Sequence, residues 1–149
     1  MTKEEKLADM VAELMRVMLI SERTPPENQH VTKYNPLDFH TIGALRVEPG
    51  MRSSALAERL GVPPTTTSSV IARLVDRGLV QRRQDAADKR AAALFLTETG
   101  AEMGQTIRNQ DLRNMGLFLS ALTVDEQNEF LRLLAKITDL VAKLDSAEA

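Results

Sequence analysis

Leu7, Met10/Val11, Leu14 and Val17/Met18 return at steps of three and four residues, laying one apolar stripe along a helix over 3–20. A polar stretch from Ser21 to Asn35, with Pro25 and Pro26 in tandem, ends it; this connection is long for a small domain. Asn35 followed by Pro36 reads as N-cap and first helical position, so a second helix is expected over about 37–47, stopped before Pro49-Gly50. A short third helix over about 53–60 takes Ser53 as its cap and turns Leu56, Ala57 and Leu60 inward. Gly61 ends it where a left-handed backbone is needed. Pro63-Pro64 opens the next helix, about 64–77, and Gly78 closes it. Leu79-Val80-Gln81-Arg82 and Ala92-Ala93-Leu94-Phe95-Leu96 read as two short strands around a polar tip over 85–90, a β-hairpin that projects. Thr97 caps a long helix to about Leu119, with Gly100, Gly104 and Gly116 as its weak points. Thr123 and Glu126 form a capping box for a last helix. There Phe130, Leu133/Leu134, Ile137, Leu140/Val141 and Leu144 keep a heptad-like rhythm.

Composition narrows the picture. With 149 residues the chain makes one domain or two interleaved lobes, and 43% hydrophobic with 27% charged residues is ordinary for a globular protein. Only 3% of residues are aromatic and there is no Trp, so the core must be aliphatic, which favours helices over a β-sandwich. The absence of Cys removes disulfides, thiol catalysis, thiol redox sensing and cysteine-ligated zinc. His30 and His40 alone are too few for a metal site, and no cofactor is implied. No apolar run of about 18 residues is present, and Lys3-Glu4-Glu5-Lys6 does not open a signal peptide. A soluble cytoplasmic protein with no membrane partner is the resulting expectation.

The net charge of −2 argues against nucleic acid until it is divided along the chain. Residues 1–45 carry five Lys/Arg against seven Asp/Glu, 46–97 carry nine against five, and 98–149 carry five against nine. A basic middle between acidic flanks fits a localised phosphate-binding surface. The same middle holds a short helix, a glycine turn, a second helix and a hairpin, the order of a winged helix-turn-helix. The expected fold class is mainly α with a small β-hairpin wing: a winged helix-turn-helix over 37–97, with 1–36 and 98–149 forming a helical dimerisation lobe.

On the second helix of the motif, Thr67, Val70/Ile71 and Leu74 share an inward face. The opposite face shows Thr65, Thr66, Ser68, Ser69, Arg73 and Arg77, short hydrogen-bonding side chains ending in arginines. Five consecutive Thr/Ser residues are mediocre helix formers, and capping explains only one of them. Contact of the first turn with the major groove explains the rest, because hydroxyls can meet base edges and phosphates there. Ser53, Pro64 and Arg83 complete this candidate DNA-binding set, with Lys89 and Arg90 at the hairpin tip, where Arg suits a narrow minor groove. Asp85 and Asp88 are expected to shape the tip by accepting hydrogen bonds from its amides or by pairing with Arg.

Taken in series, Leu56-Ala57-Glu58-Arg59-Leu60-Gly61-Val62, Leu74-Val75-Asp76-Arg77-Gly78-Leu79-Val80-Gln81-Arg82, Asp85-Ala86-Ala87-Asp88-Lys89-Arg90 and Leu94-Phe95-Leu96-Thr97-Glu98-Thr99-Gly100 resemble the MarR family of bacterial transcriptional regulators. The resemblance covers about 37–100. It implies a homodimer with interlocked terminal helices, recognition helices in successive major grooves, and Arg90 in the minor groove. Pro64 stands where the family often has a polar or basic residue, and the 21–36 linker is longer and richer in proline than expected.

The terminal helices carry more apolar surface than one winged domain can cover, so Leu7, Val11, Leu14, Phe130, Leu134, Ile137 and Val141 are expected to pair two chains about a two-fold axis. The resemblance also implies a small lipophilic or phenolic ligand between the lobes, for which His30, Tyr34, His40 and Thr41 are the candidate lining residues. The expected function is a sequence-specific repressor on a pseudo-palindromic operator, released by such a ligand. The alternative is a winged-helix module that binds protein through the same surface. No nucleophile–base pair, carboxylate pair, phosphate-binding glycine loop or metal spacing stands out, so an enzyme is not expected.

Overall fold

The computed structural model describes residues 1–20 and 35–148, and the chain divides into two compact units, Met1–Tyr34 and Asn35–Ala149. In the first unit, α1 spans Lys3–Ile20. Its start is fixed reciprocally: the Thr2 hydroxyl accepts the Glu5 N–H (3.1 Å) and the Glu5 carboxylate accepts the Thr2 N–H (2.7 Å). The apolar stripe of Leu7, Met10, Val11 and Leu14 is exposed.

The second unit runs α2 (Pro36–Val47), β1 (Met51–Arg52), α3 (Ser53–Leu60), α4 (Pro64–Asp76), β2 (Val80–Gln84), β3 (Ala92–Leu96), α5 (Glu98–Leu119) and α6 (Val124–Glu148). Asn35 caps α2 as its sequence position requires. Its side chain accepts the Asp38 N–H while the Asp38 carboxylate accepts the Asn35 N–H, both at 3.0 Å. Gly61 and Gly78 adopt φ of 65° and 74°, which lets the chain leave α3 and α4 without Cβ strain.

Three local expectations need correction. Ser53 is not the cap of α3: Arg52 occupies that position without a side-chain cap bond, and Ser53 is the first helical residue. The first hairpin strand begins at Val80, not Leu79, and continues past Arg82 to Gln84, so the tip runs Asp85–Ala91, one residue beyond the expected 85–90. The sheet has three strands, not two. Its order is β1-β3-β2, with Met51 opposite Leu94 and Arg52 opposite Ala93. Gly50, at φ 86°, turns the chain into β1 and donates its N–H to the Leu94 carbonyl at 2.8 Å.

The core sits where α2, α3 and α4 meet β3. Ile42, Leu45, Leu56, Ile71, Leu74, Leu79 and Leu94 are almost completely covered, each burial worth about 1.5–3 kcal/mol. Leu60, expected inward, is only half-buried. Thr41 and Thr67 are buried without an unpaired hydroxyl, because each donates to the carbonyl four residues back, Leu37 at 2.7 Å and Pro63 at 3.2 Å. On the other side of α2 lies α5, brought close by two glycines: Gly104 beside Ile42, and Gly100 against the Leu79 backbone. By contrast, α6 buries no residue, and Phe130, Leu134, Ile137 and Val141 are 41–58% exposed.

Candidate nucleic-acid interface

Pro63 and Pro64 set the start of α4, with Pro64 at the first helical position and no side chain capping the first-turn amides. Thr67, Val70, Ile71 and Leu74 anchor the inner face, as their spacing requires. That anchoring fixes what faces outward. Pro64, Thr65, Ser68, Ser69 and Arg77 are exposed, and Thr66 is half-buried. The Ser69 hydroxyl donates to the Thr65 carbonyl at 3.1 Å, which leaves its lone pairs facing out as acceptors. Arg73 lies lower on the helix flank than an outward position implies: its guanidinium is bound by Asp38 of α2, through Nε at 3.2 Å and through Nη2.

Next to α4 stands the hairpin. β2 and β3 pair antiparallel from Val80 opposite Leu96 to Gln84 opposite Ala92. Its tip is organised by one carboxylate. Asp85 Oδ1 accepts the N–H groups of Ala87 (2.8 Å) and Asp88 (3.2 Å), while Oδ2 accepts from Arg52 Nε at 2.8 Å. The Arg52 guanidinium, then the Ala87 amide, hold the Asp85 carboxyl well below the usual carboxylate range, at about 2. Asp88 Oδ1 accepts the Arg90 N–H at 3.0 Å, and Gln84 Nε2 donates to the Lys89 carbonyl at 3.1 Å. The side chains of Lys89 and Arg90 project into solvent from a backbone held on both sides. Arg83 instead lays its guanidinium over the Phe95 ring, 4.4 Å from the centroid.

Between α3, α4 and the hairpin base opens a cleft of about 320 Å3, lined by Arg52, Ser53, Ser54, Ser68 and Arg82 over a floor that includes Ile71 and Leu94. Arg52, Ser54 and Arg82 were not among the candidate contacts. Arg82 was legible inside the Gly78–Arg82 run; Arg52 was not, because its partner Asp85 is far away in sequence. The cleft brings Ser53 and Ser54 of α3, Ser68 of α4 and the side chains of Arg52 and Arg82 together, hydroxyls and guanidinium groups suited to a polyanion.

Of the four candidate pocket residues, His40 is exposed and Thr41 beside it is fully buried with its hydroxyl used within α2, while His30 and Tyr34 lie outside the described residues. Among the described residues no group of His, Cys, Asp or Glu is arranged to hold a metal, and no helix is long and apolar enough to cross a membrane.

A helix pair joined by a glycine turn, followed by a hairpin with an ordered basic tip, defines a winged helix-turn-helix protein. Comparison with known proteins gives the family. A sequence model of the MarR family matches residues 33–91. The transcriptional regulator HosA of Escherichia coli O127:H6 is 32% identical over 106 residues, covering 66% of this chain and 73% of the relative. This chain belongs to the MarR family. Among solved structures, Streptococcus pneumoniae FabT in complex with DNA superposes with a TM-score of 0.84 at 15% identity, covering 95% of this chain and 99% of that one, a likeness of fold. The PcaV transcriptional regulator of Streptomyces coelicolor in complex with its natural ligand gives a TM-score of 0.60 at 28% identity, covering 91% and 89%.

Proposed function

We propose that this protein is a DNA-binding transcriptional regulator that reads a pseudo-palindromic operator as a homodimer. One observation carries the reading: Ser68 of the exposed Thr/Ser strip of α4 and Ala91-Ala92, next to the exposed Lys89/Arg90 tip, line one cleft with Arg52 and Arg82. Reading residues are Ser53, Pro64, Thr65, Thr66, Ser68, Ser69, Arg73, Arg77, Arg83, Lys89 and Arg90, with Asp85 and Asp88 shaping the wing. The relatives support the reading, since HosA is named a transcriptional regulator and FabT is solved on DNA. Residues 37–97 form the reading head. Residues 1–36 and 98–149 form the dimerisation lobe, whose exposed apolar residues on α1 and α6 support pairing of two chains. The protein is not an enzyme and works where the bacterial chromosome is, as a repressor. A small lipophilic ligand releases it, a proposal supported by the ligand-bound PcaV structure.

Selection of bound fragments from random duplex DNA tests the reading. The expected result is an enriched inverted repeat, bound with an affinity that falls steeply as salt rises. A protein-interaction module with the same fold would enrich nothing and show no such salt dependence.

A further inference from the structure

Arg73 of α4 is held by a carboxylate from another helix. Asp38 is 2% exposed in its side chain, whereas Arg73 keeps 34%. One carboxylate oxygen, Oδ1, takes both Nε and Nη2 of the arginine, and the other, Oδ2, takes the Asn35 N–H at 3.0 Å. The carboxylate is therefore fixed from behind by the first turn of α2 and grips one edge of the guanidinium in front. A pair of this kind adds little net stability over apolar groups of the same shape. What it does supply is orientation. The arginine fork is planar, so holding one edge sets the plane and direction of the other. Arg73 lies four residues after Ser69 on α4 and four before Arg77, the residue that caps the helix C-terminus.

The geometry points to Asp38 as a positioning residue that pre-orients the Arg73 guanidinium for a phosphate of the bound duplex. This rests on the DNA-binding reading and deepens it. A guanidinium already fixed gives up less rotamer freedom on binding than one that is mobile. Behind the arginine, the carboxylate acts as outer partners do behind a metal-bound histidine, setting the direction of a ligand it does not replace.

The full-length protein and a duplex it selects from random DNA serve for the test, by fluorescence anisotropy at several salt concentrations. Asp38→Asn keeps an acceptor for the Asn35 N–H but loses the charge that grips Arg73. It is expected to bind about tenfold more weakly, with a salt slope shallower by up to about 1. Arg73→Gln is expected to lose at least as much, and the double variant no more than Arg73→Gln alone. A structural role only would leave the salt slope unchanged, because no phosphate contact would be lost. Should Asp38→Asn fail to fold, Arg73→Lys decides: it keeps the charge without the fork, and is expected to resemble Arg73→Gln more than wild type. A folded Asp38→Asn, or Arg73→Lys, with wild-type affinity and slope overturns the assignment while leaving DNA binding intact. Wild-type protein that selects no duplex overturns both.

Discussion

Asp85 is an anion in the surface proposed to meet DNA, and its bonds explain its place there. Its carboxylate accepts two tip amides and the Arg52 guanidinium, so its negative charge is consumed in shaping the wing. The bonds favour the ionised form, and the folded-state value of about 2 lies below the ordinary 3.8. The contribution of this lowered group is complete above about pH 4 and is lost as pH falls through about 2. In a pH titration by NMR, the Asp85 carboxyl carbon should have its midpoint near 2; a midpoint near 3.8 would show that Arg52 does not engage it. Arg90 is the complementary case. Its backbone N–H binds Asp88, so the tip keeps its shape when the side chain is removed. Arg90→Ala should therefore weaken duplex binding about tenfold while leaving the melting temperature unchanged. A falling melting temperature would mean that the side chain serves the fold.

At the level of elements, proline and glycine made the helices legible. Asn35-Pro36, Gly61, Pro63-Pro64, Gly78 and Thr97 mark boundaries through local backbone chemistry, and the structure places α2, α3, α4 and α5 accordingly. What stayed hidden depends on partners distant in sequence. β1 is two residues long and exists only because Met51 and Arg52 pair with β3. Asp38 closes the capping box of α2 in the structure, and nothing near it in sequence announces that it also binds Arg73 of α4. Gly100 shows the same limit, since in sequence it only weakens a helix. In the structure a Cβ there would lie 2.0 Å from the Leu79 carbonyl oxygen, so α5 reaches the wing base only because the side chain is absent. The obstacle is backbone and cannot swing aside. Gly100→Ala should destabilise the protein by at least the 1–3 kcal/mol or so typical of overpacking, despite alanine's better helix propensity. Urea unfolding would measure it; a midpoint equal to or above wild type would show that α5 shifts freely.

For the whole molecule, the issue is where so much uncovered apolar surface goes. Ile137 is 55% exposed in the single chain, between Leu134 and Val141 of the same stripe. Its replacement by Glu costs that chain little, because the side chain already faces outward. Across a two-fold interface formed by this apolar stripe the same replacement buries an unpaired charge. Ile137→Glu should therefore convert a wild-type dimer to a 16.5 kDa monomer in sedimentation while the circular dichroism of the helices persists. Operator affinity should fall with it, since each head then binds alone and the gain from tethering is lost. The proposed two-fold axis also sets a distance. Two recognition helices in successive major grooves on one face of the duplex must stand about 34–36 Å apart, one helical turn. Inserting about five base pairs between the half-sites turns the second site to the opposite face of the DNA. Binding to such a duplex should drop to the level of the monomeric variant, and an insertion of about ten should restore only part of it, since the heads must then span two turns. Equal affinity for all three duplexes would mean that the heads bind independently, and the exposed stripe on α6 would then need another explanation.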